Sequence, residues 1–156
     1  MNPTPSASEA TAPGREVHGI RCYPLRPRDF GEIEQRMRMA VRREYAALLA
    51  GVRPGGPEQR ALLAQARSEI QGIRVTDPQT LLDLATTYNG LQAVVEVGTR
   101  GALAGAAFED AYEADPDTIV DVLQGIVFET VPEMDPTRAA TATPEAPAGA
   151  AAATGG

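Results

Sequence analysis

Lysine and tryptophan are absent from this chain of 156 residues, which also has only one cysteine, one histidine and three phenylalanines. Without lysine, a phosphate-binding loop of the GxxxxGK type is impossible. The single cysteine, Cys22, excludes an intrachain disulfide and a multi-cysteine metal site, and we expect it to be a small buried hydrophobe. Because aromatic residues are scarce, the core must be mainly aliphatic.

The sequence also lacks the patterns that direct or anchor a protein to a membrane. Its first residues include Pro3, Pro5, Ser6 and Ser8, where a secretory signal needs a charged start and an apolar run. No segment approaches the run of about 20 apolar residues that a membrane-spanning helix needs. These features predict a soluble, cytoplasmic protein.

The length allows one domain of roughly 100 residues with additional tails. Residues 1–14 and 133–156 are poor in large apolar side chains and rich in small residues and proline. Such segments bury too little surface to offset the entropy of ordering, so we predict that both tails are disordered. The folded domain is then predicted to comprise residues 15–132.

Charge is sorted along the chain. Residues 1–74 carry twelve of the fourteen basic residues, all arginine, against eight acidic ones, whereas residues 75–156 carry two against thirteen. The net charge of −7 argues against a general nucleic-acid binder, because such binding depends on cations that neutralise phosphates. A DNA-associated regulator would use the arginines of one predicted helix, but these lie on several of its sides: Arg36, Arg38, Arg42 and Arg43.

Helical periodicity dominates the middle of the chain. A helix is predicted over residues 30–50, with Asp29 as its N-cap and Gly51 as its stop. Its apolar stripe, at steps of three or four, consists of Phe30, Ile33, Met37, Val41, Tyr45 and Leu48. A second helix is predicted from Pro57 to about residue 71, and the short connection favours antiparallel packing of the two helices.

Three further signals complete the predicted fold. Apolar spacing favours one unbroken helix over about residues 78–97, although Asn89-Gly90 can mark a break. The small residues from Gly98 to Ala106 fit either a close helix contact or a flexible connection. Asp115 and Pro116 begin a helix over 116–130. With a short extended or hairpin element around Gly19, we predict a mainly α domain of about four to five helices.

The residues needed for catalysis are missing. A hydrolytic triad requires a base, and His18 beside a turn glycine is expected to be solvated. The densest carboxylate cluster does not have the spacing of an EF-hand, and we expect a solvated acidic face from Glu109, Asp110, Glu113, Asp115, Asp117 and Asp121. We therefore predict no enzymatic activity, no metal and no cofactor.

One segment resembles a known family. Residues 17–38 contain the pattern Val17, Gly19, Tyr23, Leu25, Arg26 and Pro27, followed by Asp29-Phe30 and a helix rich in Glu and Arg. This pattern is similar to the start of tail assembly chaperones of long-tailed bacteriophages. The resemblance implies a small cytoplasmic virion-assembly factor that binds the tape-measure protein until tail-tube subunits polymerise around it.

An apolar helix face left open would give such a factor its binding surface, with soft contacts from Met37 and Met39. The candidate partner-binding residues, from the two best-defined helices, are Phe30, Ile33, Met37, Val41, Ile119, Leu123 and Ile126. Each stripe also fits the domain's own core. The alternative function is a structural or adaptor component of a phage-like particle, which self-assembles through its sorted charges.

Overall fold

The computed structural model describes residues 14–140 and is mainly helical, which confirms the predicted fold class. A two-stranded hairpin is followed by seven α-helices and one 3-10 turn within these residues. The elements are β1 Arg15–Val17, β2 Ile20–Cys22, α1 Pro27–Ala50, α2 Pro57–Gly72, α3 Pro78–Ala85, α4 Tyr88–Gly98, α5 Ala106–Ala114, α6 Pro116–Thr130, the 3-10 turn Pro132–Met134, and α7 Pro136–Ala139. The helices outnumber the predicted four to five because one predicted helix is split and two short ones were not predicted.

The hairpin packs on α6. Its antiparallel register pairs Arg15 with Cys22 and Val17 with Ile20, and the turn between the strands has positive φ at His18 and Gly19. Gly125 of α6 allows the close approach, because a Cβ there would lie 2.9 Å from Val17 and 3.2 Å from the Cys22 sulfur. Cys22 is fully buried, as predicted.

Helix α1 begins at Pro27, so the prediction that Asp29 is the N-cap was wrong. Proline suits the first helical position because its φ is already helical and its missing N–H needs no partner there. Asp29 lies three residues after the N-cap Arg26, and its Oδ2 accepts the Arg26 backbone N–H at 2.6 Å. The carboxylate therefore supports the start of the helix from inside it.

Helix α2 lies antiparallel to α1 and packs mainly against it. Ala66 is buried in this contact and Leu62 and Ile70 are partly buried, while the Tyr45 hydroxyl donates to Glu69 at 2.5 Å. Leu48 on α1 and Leu63 on α2 remain 51% and 47% exposed. Part of the apolar surface of α1 and α2 is thus left uncovered at these two leucines.

The predicted unbroken helix over residues 78–97 is instead two helices. The helix is interrupted at Thr86 and Thr87. Thr87 is the N-cap of α4, and its hydroxyl accepts the Gly90 N–H at 3.1 Å. Any side chain at Gly90 would overlap the Leu84 carbonyl. Periodicity misled the prediction because α3 and α4 both point their apolar residues into one core, so the spacing continues across the break.

The small residues from Gly98 to Ala106 form both a close helix contact and a connecting loop, the two alternatives that the sequence allowed. Gly98 ends α4 against Ile126 of α6, where a side chain would overlap the isoleucine. A loop then follows, with positive φ at Arg100, Gly101 and Gly105. Helix α5 was not predicted, and it buries Phe108 in the core. Asp115 begins α6 as predicted, accepting the Asp117 N–H at 3.1 Å.

The folded part continues beyond the predicted boundary at residue 132. Asp135 is 1% exposed and caps α7, so residues up to Ala139 belong to the helical structure. The boundary was placed too early because this segment has few apolar residues and is held by a buried carboxylate. The remainder of the predicted tails, residues 1–13 and 141–156, lies outside the described residues.

Candidate functional site

The predicted partner-binding residues lie mostly in the core. Five of the seven are buried, namely Ile33, Met37, Val41, Ile119 and Ile126, each at most 9% exposed. Phe30 and Leu123 are partly buried and pack against the same core. In this conformation these side chains contact their own domain, so a partner cannot reach the five buried ones unless the helices separate.

A groove between α1 and α4 offers a reachable surface instead. It has a volume of about 940 Å³ and is bounded at one side by the start of α5. We call it the α1–α4 groove, and its lining residues are Glu32, Gln35, Arg36, Met39, Ala40, Arg43, Glu44, Tyr88, Asn89, Gln92, Ala93, Glu96, Gly105 and Glu109.

Two large apolar side chains are exposed inside this groove. Met39 of α1 is 50% exposed and Tyr88 of α4 is 44% exposed. Tyr88 is held in place by aromatic contacts, with its ring 5.7 Å from Phe108 and 5.2 Å from Tyr112, both edge-to-face. The groove thus presents a flexible thioether opposite a positioned ring, which is a combination suited to an apolar partner.

Glu96 organises the polar part of the groove. Its Oε2 lies 2.5 Å from Arg36, which also contacts Glu32 at 2.8 Å. Its Oε1 accepts hydrogen bonds from the Gln92 side chain at 3.1 Å and from the Gly105 backbone N–H at 2.8 Å. One carboxylate therefore links α1, α4 and the residue before α5.

Other charges of the groove have no such partner. Among the residues that the structure describes, Arg43, Glu44 and Glu109 form no ion pair. Burial raises the pKa of the Tyr88 hydroxyl, and the nearby carboxylates of Glu109 and Glu113 raise it further. A tyrosine hydroxyl is protonated at neutral pH even at its ordinary pKa, so the Tyr88 hydroxyl can act as a hydrogen-bond donor in the groove.

The groups that could carry other chemistry lie apart from the groove. His18 contacts Asp121 at 2.7 Å on the surface, and burial raises the pKa of the Cys22 thiol to about 11. Within residues 14–140 no group of three histidine, cysteine or acidic side chains is placed to hold a metal.

The arginines considered for DNA contact are not all available. Arg36 is engaged by Glu32 and Glu96, and Arg38 by Glu34 at 2.9 Å and by the Ile73 carbonyl at 3.0 Å. Only Arg42 and Arg43 of the four are exposed and without an ion pair among the described residues. This arrangement weakens the case for a nucleic-acid interface on α1.

Sequence reasoning noted Met39 as a soft contact but did not identify the groove, since α1 and α4 meet only in the tertiary structure. No described helix is both long enough and apolar enough to cross a membrane. The chain matches no family model, no curated protein and no solved structure. The α1–α4 groove is therefore the surface of the described residues that can receive a partner.

Proposed function

We propose that this protein is a non-enzymatic protein-binding factor that holds a partner helix in the α1–α4 groove. The observation that carries the proposal is the exposure of Met39 and Tyr88 within one groove. Grooves between packed helices bind amphipathic helices, which insert apolar side chains at positions i, i+3, i+4 and i+7. Because both side chains are already about half buried, covering the rest would contribute roughly 1 kcal/mol each.

The biological setting we propose is bacteriophage tail morphogenesis, where the factor acts as a tail assembly chaperone in the host cytoplasm. The support is the resemblance of residues 17–38, together with the way this segment folds. The hairpin of β1 and β2 and a short connection over residues 23–26 lead directly into α1. The client is then the tape-measure protein, whose long apolar helices need a cover before tail-tube subunits enclose them.

Co-expression tests this function. The chain is produced together with the product of the very long, helix-rich reading frame that the proposal places directly downstream of its gene. We expect the full chain to keep that product in the soluble fraction and to purify with it. Neutral apolar peptides serve as competitors, because selective binding of tape-measure segments separates a chaperone from a general apolar binder.

A matched pair of variants places the contact in the groove. Met39→Glu adds a charge inside the groove, while Met134→Glu adds the same charge at a side chain that is 47% exposed and does not line it. We expect the first variant to bind the client at least about tenfold more weakly than the wild type, and the second to bind it with unchanged affinity. Equal client binding by both variants would place the contact elsewhere and overturn the groove assignment.

A further inference from the structure

We propose that the α1–α4 groove also binds the outer face of α2 from a second copy of this chain, so that the protein self-associates. The inference rests on the proposed function only in taking the groove as a site for helices. It names a specific occupant, an amphipathic helix with basic residues on both sides of an exposed leucine.

The outer face of α2 has this pattern. Leu63, at 47% exposure, lies at the edge of the α1 contact that buries Ala66. Arg60 and Arg67 lie one turn before and one turn after it, at helical positions i−3 and i+4. Both arginines are exposed, and within the described part of the chain neither forms an ion pair. We call this surface the α2 outer face.

The groove offers complementary groups. Met39 and Tyr88 provide an apolar surface for a leucine, and Glu44 and Glu109 are carboxylates without an ion-pair partner among the described residues. Arg60 and Arg67 are about 10 Å apart along the helix axis, which allows them to reach separate carboxylates on either side of the apolar contact. Desolvated pairs of this kind set the specificity of an interface.

Other segments of the same chain fit the groove less well. Residues 1–13 and 141–156 contain no basic residue and include the acidic Glu9 and Glu145. On α6, Val120 is 42% exposed, but it lies next to Asp121 and one turn after Asp117. Each of these occupants would bring like charge to Glu44 and Glu109. The α2 outer face brings opposite charge to these two carboxylates and like charge to Arg43, so attraction prevails among the groove charges that have no ion pair in the described part of the chain.

The contact must form between copies. No residue of α2 lines the groove of its own chain, and α2 packs mainly against α1. The two surfaces are different, so the contact is heterologous, and repetition gives a ring, a filament or a reciprocal pair. Self-association would then occupy the same surface as a client helix, and the two would compete.

Light scattering coupled to size-exclusion chromatography of the full chain tests the inference, over a range of protein and salt concentrations. We expect oligomers that dissociate on dilution or at high salt. R60E/R67E should raise the dissociation constant about tenfold or more. R21E/R74E makes the same change of charge at exposed arginines outside the α2 outer face, and it should associate like the wild type. A monomeric wild type, or equal loss in both variants, would overturn the inference.

A charge exchange gives the sharper test. E44R/E109R makes the groove basic, so neither this variant nor R60E/R67E should associate alone, because like charges meet in each. Mixed in equal amounts, they should form alternating oligomers, because the acidic α2 of R60E/R67E fits the basic groove of E44R/E109R and the basic α2 of the latter fits the acidic groove of the former. Absence of mixed oligomers would contradict the inference. Client binding by R60E/R67E is measured separately, so the proposed function can stand even if self-association fails.

Discussion

The guanidinium of Arg15 donates a hydrogen bond to the buried carboxylate of Asp135, which lies 120 positions further along the chain. Asp135 also accepts the Thr137 hydroxyl at 2.6 Å and the Thr137 N–H at 2.9 Å. Arg15 in turn contacts Glu129 at 3.6 Å and lies 5.6 Å from the centre of the Phe128 ring. This ion pair therefore links the first strand to the N-cap of the last helix of the described structure.

Replacing Arg15 with methionine should release the segment from Pro132 to Ala139. The buried carboxylate would lose the guanidinium that is hydrogen-bonded to it, and the Arg138 Nε at 3.9 Å would remain as a more distant cation. Weaker pairing of a buried charge is unfavourable. Hydrogen exchange should accelerate most in this segment and in β1, and the denaturation midpoint should fall. Arg21→Met is the control, because Arg21 is exposed on the same hairpin. Equal exchange in both variants would mean that the ion pair does not hold the segment.

The same site predicts a pH dependence. Hydrogen bonds from Thr137, and then Arg15, lower the pKa of Asp135 from 3.8 to about 2. A lowered folded-state pKa stabilises the protein above the unfolded value, and this contribution is lost as pH falls from 3.8 towards 2. The free energy of unfolding of the wild type should therefore converge with that of Asp135→Asn over this window. A constant difference between the two would contradict the lowered pKa.

Gly98→Ala should destabilise the contact between α4 and α6. The new Cβ would lie at most 2.7 Å from three carbons of Ile126, and such overpacking costs about 1–3 kcal/mol. Gly31→Ala in α1 is the control, because a Cβ there meets nothing within 4 Å. This second variant should gain about 0.4–1 kcal/mol from reduced freedom of the unfolded chain. Urea denaturation measures the free energy of unfolding of both variants. Changes of the same sign in the two would show that Gly98 is not packed against Ile126 in this way.

Two aspartate substitutions compare the side of α1 that faces the core with the side that faces the α1–α4 groove. Ile33 is 0% exposed, and Ile33→Asp should cost about 4 kcal/mol or more, since it buries a charge without a partner. Met39→Asp, at a position that is 50% exposed, should stay within about 0.5 kcal/mol of the wild type. Circular dichroism during thermal denaturation gives both values. Similar losses would mean that Met39 is also part of the core.

Cys22 should react only after unfolding. The side chain is 0% exposed and its pKa is raised to about 11, first by burial and then by the charge of Glu129. Because the thiolate is the nucleophile, alkylation by iodoacetamide at neutral pH should be far slower for the folded chain than for the chain in urea. Mass spectrometry follows the reaction, and comparable rates in both states would place the thiol at the surface.

The elements that the sequence predicted correctly are those with local signals. Pro57 and Pro116 begin helices where proline is favoured, and the stripe Ile33, Met37 and Val41 is buried as its spacing implies. Helix α5 was missed because Phe108 is its only fully buried residue in a strongly acidic segment. Short helices of this kind are stabilised mainly by their packing, which local sequence does not reveal.

The groove was not predictable from periodicity for a related reason. Met39 and Tyr88 are 49 positions apart and become neighbours of one groove only when α1 packs against α4. A periodic stripe identifies the residues that share a face but does not say whether that face is buried or open. The stripes chosen as binding surfaces were the most regular ones, and regular stripes are the faces that the domain uses for its own core.

Arg15 and Arg138 both contact Glu129, so the two ends of the described part of the chain lie close together. The loop from Gly51 to Gly56 lies at the opposite end of α1 from the hairpin. A circularly permuted chain, joined by a short linker between the present ends and opened in this loop, would keep every helix intact. In such a chain α2 would come first and α1 last, so the order of synthesis can change while the packing of the helices stays the same.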